Sequence, residues 1–301
     1  MLKFVYIIND QKEFIMKDLL LGCFLLANVL SVFAQKAPIT LDTTYFACEY
    51  KTRYHLDTLS MNNYIDDDCI LQVGSKISKY YSKKTDAYER VMCNPKAKAA
   101  YDRDLELALQ KARKNGGLMD KPPLARYSPL VIYNNYPQGK RTIQDAAFFD
   151  YYIYEDNNAP QQWTLVADSA KTILGYSCKK ATCSYRGRNY EAWYSPDLPV
   201  SVGPWKFSGL PGLIMTAQDT KAHYTFEIKG LMKTKEPIQY IEYSNCKYTH
   251  TDRLKFLRLN AKSSQIGILR YMKANAPSTT ANTDIKLSDT GQKYDLQERD
   301  Y

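Results

Sequence analysis

The chain has seven cysteines, and they are the side chains with the widest choice of chemistry. Cys23 sits inside an apolar leader, which leaves Cys48, Cys69, Cys93, Cys178, Cys183 and Cys246. A thiolate can act as a nucleophile, and in "CKKATC" Lys179 and Lys180 stand beside Cys178, a cationic neighbourhood that favours the thiolate. Zinc needs closely spaced ligand pairs, and neither a CxxC nor an HxxxH spacing is present. In an oxidising compartment the even set of six predicts up to three disulfides, with about 15 pairings open. Cys178 and Cys183 cannot bond within one straight strand. Five steps span about 16 Å and end on opposite faces, whereas a bridge needs Cα atoms within roughly 7 Å. They pair only if "KKAT" turns.

Other catalytic patterns are missing. His55, His223 and His250 lie far apart, with no HExxH and no GxSxG elbow. His223, in the strand-like "KAHYTFEI", reads as a structural histidine. Asp66-Asp67-Asp68 lacks the alternating spacing and closing Glu of a calcium loop and reads as a solvated turn. No catalytic residue, metal or cofactor is predicted, and an enzyme is not expected. The formal charge of +9 is spread thinly. "YSKK", "KARK" and "YMK" are scattered basic patches, so nucleic acid is not a predicted partner.

Leu19 to Ala34 are 16 uncharged, mostly apolar positions, too few for a membrane span of roughly 20 residues. The run fits a signal peptide, with cleavage expected after Ala34 and a mature chain starting at Gln35. Met16-Lys17 directly precedes the run and is a candidate start. "LLGC" at Leu20 to Cys23 has the look of a lipoprotein box but falls too early in the run. Export to the periplasm or cell envelope follows, and with it the oxidising surroundings assumed for the cysteines.

The elements that position these residues are mostly strands. The 26 tyrosines favour pleated, half-buried surfaces. "TYFACEYKTRYHLD" and "CILQVGSKISKYYS" read as strands, the second broken at Gly74. Asn94-Pro95 caps a helix whose apolar stripe is Ala97, Tyr101, Leu105, Ala108 and Ala112, and Asn115-Gly116-Gly117 stops it. From Leu130 to Leu231 short strand patterns alternate with turns, which predicts an antiparallel meander. "YRGRNY" reads as a hairpin with Tyr185 facing Tyr190 across Gly187-Arg188. A second helix is expected over about Thr251 to Lys273, followed by a disordered or loosely attached tail over 274–301.

One stretch fits neither strand nor ordinary loop: "GPWKFSGLPGLI", Gly203 to Ile214. Its glycines and prolines interrupt five large apolar side chains, and it carries one charge. Leu210-Pro211-Gly212-Leu213 suits a type II turn, with Gly where φ is positive. Gly203 and Gly209 allow close backbone approach. Trp205, Phe207, Leu210, Leu213 and Ile214 then lock a buried corner, or form a lid over an apolar cavity. No phosphate loop is present, since no Gly-Lys-Ser/Thr follows.

The wider segment from Ile173 to Ile214 resembles the GLPGLI family of exported Bacteroidota proteins. Gly175-Tyr176, Cys178, Lys180-Ala181, Gly187-Arg188 and Ala192-Trp193-Tyr194 match its pattern, as do Leu198-Pro199, Gly203-Pro204 and the hexapeptide Gly209 to Ile214. The resemblance implies an α+β fold with a large curved, mostly antiparallel sheet, similar to the half-barrel of periplasmic lipoprotein carriers, with an inserted helix and a C-terminal helix. It implies no enzymatic reaction. The expected organisation is a leader over 1–34, one β-rich domain over 35–273 with a helical insertion at about 85–128, and the tail. The leading functional expectation is a non-enzymatic binder of a lipid or other hydrophobic ligand. Trp193, Trp205, Phe207, Leu210 and Leu213 would line its site, and Gly203, Pro204, Gly209, Pro211 and Gly212 would shape it. The alternative is a structural accessory that docks on an outer-membrane transport or envelope assembly.

Overall fold

The computed structural model describes residues 37–55, 62, 64–114, 124–147, 150–261 and 296–301. The leader with its cleavage site, the helix stop at Asn115-Gly116-Gly117 and residues 262–295 lie outside them.

Two meanders build the sheet. The first holds β2 (Phe46–His55), β3 (Tyr64–Val73), β4 (Ser78–Ser82), β5 (Val131–Asn134), β6 (Lys140–Ala147) and β7 (Asp150–Asn157). The second holds β10 (Tyr176–Tyr185), β11 (Arg188–Ser195), β12 (Leu213–Asp219) and β13 (Tyr224–Lys233), with β8 (Thr164–Leu165) and β9 (Lys171–Ile173) along the free side of β10. β13 pairs antiparallel with β2 from Tyr224↔Tyr54 to Lys233↔Phe46 and joins the meanders. A last strand, β15 (Tyr248–His250), runs parallel to β7. The result is one open, 13-stranded, mostly antiparallel sheet that does not close into a barrel. A separate ribbon pairs β1 (Ile39–Thr43) with β14 (Pro237–Tyr240). With its helices, this is a sheet-dominated α+β fold.

The helices are capped by their own sequence. Ser82 Oγ accepts from Thr85 N at 3.2 Å to start α1 (Lys83–Cys93). Asn94 Oδ1 accepts from Lys96 N and Ala97 N at 3.1 and 3.0 Å to start α2 (Pro95–Lys114), as its cap residue predicts. A third helix is described over 253–261.

Strand alternation sorts the side chains onto two faces. Tyr50, Cys69, Tyr80, Ile132, Ile143, Tyr154, Tyr190 and Phe226 share one face through their cross-strand pairings and belong to one large core. The segment 196–212 covers that face, together with Phe256 and Leu257 of the third helix and Leu296. The opposite face of the second meander is solvated and carries ion pairs across strands, such as Lys180–Glu191 at 2.8 Å, and the same face continues onto β2 and β3 with Lys51–Asp66 at 2.9 Å. Over the first meander that opposite face is crossed by a strap, residues 237–248. Lys79 Nζ donates to Gln239 O at 3.1 Å, Gln144 Nε2 to Ile241 O at 3.0 Å, and Ile241 N to Tyr133 Oη at 3.3 Å.

Three local expectations are corrected. Asp66 to Asp68 lie within β3, not in a turn. Asp67 is buried and accepts from Ser82 Oγ at 2.9 Å, while Asp66 takes both Arg53 and Lys51. In the β10–β11 hairpin the turn residues are Arg186 (φ 51) and Gly187 (φ 77), the two positive values of a type I′ turn. Tyr185 therefore faces Arg188, and Tyr190 faces Cys183. Residues 296–301 are not a loose tail: Leu296 and Glu298 are buried in the fold.

Candidate functional site

The segment between β11 and β12 turns inward and spends its apolar side chains in the core. Trp205, Phe207, Leu210, Leu213 and Ile214 are all at most 2% exposed. The Phe207 ring meets Tyr190, Trp205 and Phe226 edge-on, with centroids 4.9, 5.1 and 5.7 Å away. Such aromatic contacts contribute roughly 0.5–1.5 kcal/mol each beyond burial. Trp163 Nε1 donates to Ser208 O at 2.8 Å, and Tyr50 Oη to Ile214 O at 2.7 Å.

The glycines are there for space. A Cβ at Gly203 would lie 2.7 Å from Ile214 Cβ, and one at Gly212 would lie 2.1 Å from Ser195 O. The turn differs from the type II expectation. Gly212 N donates to Leu210 O at 2.8 Å, and Leu213 N turns away to Leu198 O at 2.9 Å. That i→i+2 bond makes a γ-turn centred on Pro211, whose fixed φ suits it.

The single charge of the stretch, Lys206, is the functional-site residue that sequence reasoning missed. Its side chain is 1% exposed, with Nζ 3.0 Å from Asp156 Oδ2 and in contact with Glu298 Oε1. Arg253 also binds Glu298, at 2.6 Å, and Arg186 binds Asp156 at 2.6 Å and Asp300 at 3.0 Å. Three cations and three carboxylates thus form one network, enclosed around Lys206, Asp156 and Glu298 and open to solvent at Asp300. Burial works against the Asp156 charge, but Lys206 and then Arg186 outweigh it and hold its carboxyl below the usual range. Beside the network, Arg188 binds Asp219 at 3.1 Å and the carbonyl of Leu296 at 2.8 Å. A lone lysine in an apolar run was the available signal, because an enclosed ammonium needs a partner.

The predicted lining residues do not converge on a cavity. Trp193 stands on the opposite face from the other four, with Lys171 Nζ 5.8 Å from its ring centroid. It borders a hollow of about 140 Å³ together with Glu191, Gln218 and Glu227. An opening of about 360 Å³ lies where the 200–208 segment passes the β3–β4 and β5–β6 turns. Its wall mixes hydroxyl and amide groups, from Ser75, Asn134, Asn135, Asn158, Ser201 and Ser208, with at least as much apolar surface, from Val73, Ile77, Val200, Val202 and Phe207.

On the other face, a small space of about 20 Å³ under the strap, room for a water molecule, is ringed by Lys79, Asp86, Glu89, Arg126 and five tyrosines. Glu89 is buried and accepts from Tyr151 Oη at 3.1 Å and Asn245 Nδ2 at 2.7 Å. Lys79 lies over the rings of Tyr81 and Tyr133, and burial pulls its pKa down to about 8.

The six cysteines are free thiols in this structure, where up to three bridges were expected. "KKAT" does not turn, since Cys178 and Cys183 sit in one continuous strand, β10. Burial pushes the Cys48, Cys69, Cys183 and Cys246 thiols up to about 12 and raises Cys178 as well. Of the two cations expected to favour a Cys178 thiolate, Lys179 and Lys180, the second is engaged with Glu191. His55 and His223, distant in sequence, are brought to 6.3 Å between ring centroids. Among the described residues no group of three or more His, Cys, Asp or Glu could hold a metal ion. No helix among them is long and apolar enough to cross a membrane.

A family model described as "Protein of unknown function (Porph_ging)" matches residues 185–216, from the β10–β11 turn into β12. A comparison with curated proteins finds no match. Two solved structures, "Structure of PNGF-II in P21 space group" and "Structure of PNGF-II in C2 space group", align at a TM-score of 0.44 and 17% identity. Each alignment covers 74% of this chain and 34% or 33% of the other. The match thus spans about a third of those chains' length.

Proposed function

We propose that this chain is an exported envelope protein of the GLPGLI family that works by docking, taking a polar segment of an outer-membrane or envelope protein into the 360 Å³ cleft. The reading is carried by where the motif's apolar side chains go. A carrier of a lipid needs Trp205, Phe207, Leu210 and Leu213 to face an empty apolar space, and all four are packed in the core. The opening beside the motif offers amide and hydroxyl groups, with Lys76 as its one charged wall residue. Such a wall suits uncharged main chain, which needs donors and acceptors in equal measure. The apolar Leu19–Ala34 run supports export, and the match over 185–216 supports the family.

A photo-crosslinking side chain placed at Ser201 in the exported protein tests this, with Asp102 on the exposed face of α2 as control. Docking gives one discrete protein adduct from Ser201 and none from Asp102. A native mass spectrum recorded without detergent supplies the other arm. A discrete lipid-sized mass, lost on unfolding, together with no protein adduct at Ser201, would overturn docking in favour of carriage.

A further inference from the structure

The strap that crosses the first meander ends beside the C-terminus of α1, and there two of the six thiols meet. Cys93 is the last residue of α1, and Cys246 lies just before β15. Both share the small core formed by Ile241, Tyr243, Tyr151 and Tyr248. Both sulfurs reach a single atom, Asn245 Oδ1, at 2.9 Å from Cys93 and 3.5 Å from Cys246. The two sulfurs are therefore no farther apart than those distances laid end to end.

Among the described residues no other two cysteines are placed this way. Cys48 and Cys69 are diagonal neighbours on adjacent strands, since Cys48 faces Leu71 and Cys69 faces Tyr50. Diagonal positions are roughly 7–8 Å apart, outside the range a bridge spans. Cys178 and Cys183 share one strand, and β10 is separated from β2 by three intervening strands.

We propose that Cys93 and Cys246 are a disulfide-forming pair that clasps the strap to the end of α1 when the protein meets an external disulfide. Cys93 is the half-exposed member and reacts first. Its thiol loses a proton to solvent, and the sulfur attacks one sulfur of the external disulfide, releasing one thiol. Cys246 then passes its proton to Glu89, whose Oε2 is 3.6 Å from the buried sulfur. The Cys246 sulfur attacks Cys93 and releases the second thiol. Two protein thiols lose two electrons, and one external disulfide becomes two thiols. Closing the bridge brings the two sulfurs to about 2 Å.

The full chain incubated with oxidised and reduced glutathione, alkylated and digested with trypsin without reduction provides the test. The peptide Val91–Lys96 should appear joined to Glu236–Lys247 and lighter by two hydrogens than the two separate thiol peptides. Cys93→Ser should abolish the joined species and leave Cys246 alkylated after unfolding. Oxidation should raise the thermal midpoint of the parent and leave that of Cys93→Ser unchanged. Recovery of Cys93 as a glutathione adduct with Cys246 free, or joined to any other cysteine, would overturn the pairing. The peptide map of the parent decides this alone if the variant does not fold.

Discussion

The guanidinium of Arg188 donates to the main-chain carbonyl of Leu296 at 2.8 Å, across 108 residues of sequence. Through this bond and the Lys206–Glu298 contact, a six-residue stretch is anchored under the hairpin turn, where Arg299 N also donates to Arg186 O at 2.9 Å. Gly187 is part of the same fit, since a Cβ there would lie 2.7 Å from Arg299 Cβ.

Deleting residues 296–301 should therefore cost stability, in the manner of a broken enclosed ion pair, about 3–5 kcal/mol. Lys206 and Arg253 would lose Glu298, and Arg188 would lose two carbonyl acceptors. A denaturant titration would show a lower midpoint, and an unchanged one would mean that the stretch is only laid on the surface.

The glycine substitutions should separate sharply. Gly212→Ala drives a Cβ into Ser195 O and should prevent the β11–β12 corner from closing, seen as lost near-ultraviolet circular dichroism. Gly230→Ala meets nothing within 4 Å and should be neutral or gain up to about 1 kcal/mol.

Two aromatic truncations distinguish the faces. Phe207→Ala removes a fully buried ring and should lose about 3–5 kcal/mol. Trp193→Ala acts on the half-buried outer face and should lose much less. Equal losses would mean that Trp193 belongs to the same core.

Lys79 predicts a pH dependence. Its folded-state value of about 8 lies below the ordinary 10.5, so the folded state binds that proton less tightly than the unfolded chain. The penalty is present in full below pH 8 and disappears as the pH rises towards 10.5. Relative to Lys79→Met, the parent should gain roughly 1–3 kcal/mol between pH 7 and pH 10.5. A flat difference would mean that the faces of Tyr81 and Tyr133 keep the ammonium charged at no cost.

Much of the sheet was legible because its strands alternate, as in β11, where Arg188, Tyr190, Ala192 and Tyr194 are buried while the residues between them are not. The α2 cap was legible because Asn-Pro has few other uses. Other features hid behind polarity. Residues 296–301 read as solvated because, apart from Leu296, their burial rests on ion pairs rather than apolar side chains. The strap shows no period, since it lies across the strands and is held by Lys79, Gln144 and Tyr133 from below. Arg186 at positive φ shifted the hairpin by one residue, because arginine is not a residue that propensity places there. The corner's burial could be read from composition, but not the partners of Lys206, which come from β7 and from residue 298.

The anchored stretch also sets an order of events during synthesis. Residues 296–301 follow every other described residue, and they supply two of the three carboxylates around Lys206, Arg186 and Arg253. A nascent chain still short of them holds three cations against Asp156 alone. Lys206, on the motif loop, then has one carboxylate partner instead of two. The ion network around Lys206 is thus complete only once translation has passed residue 300.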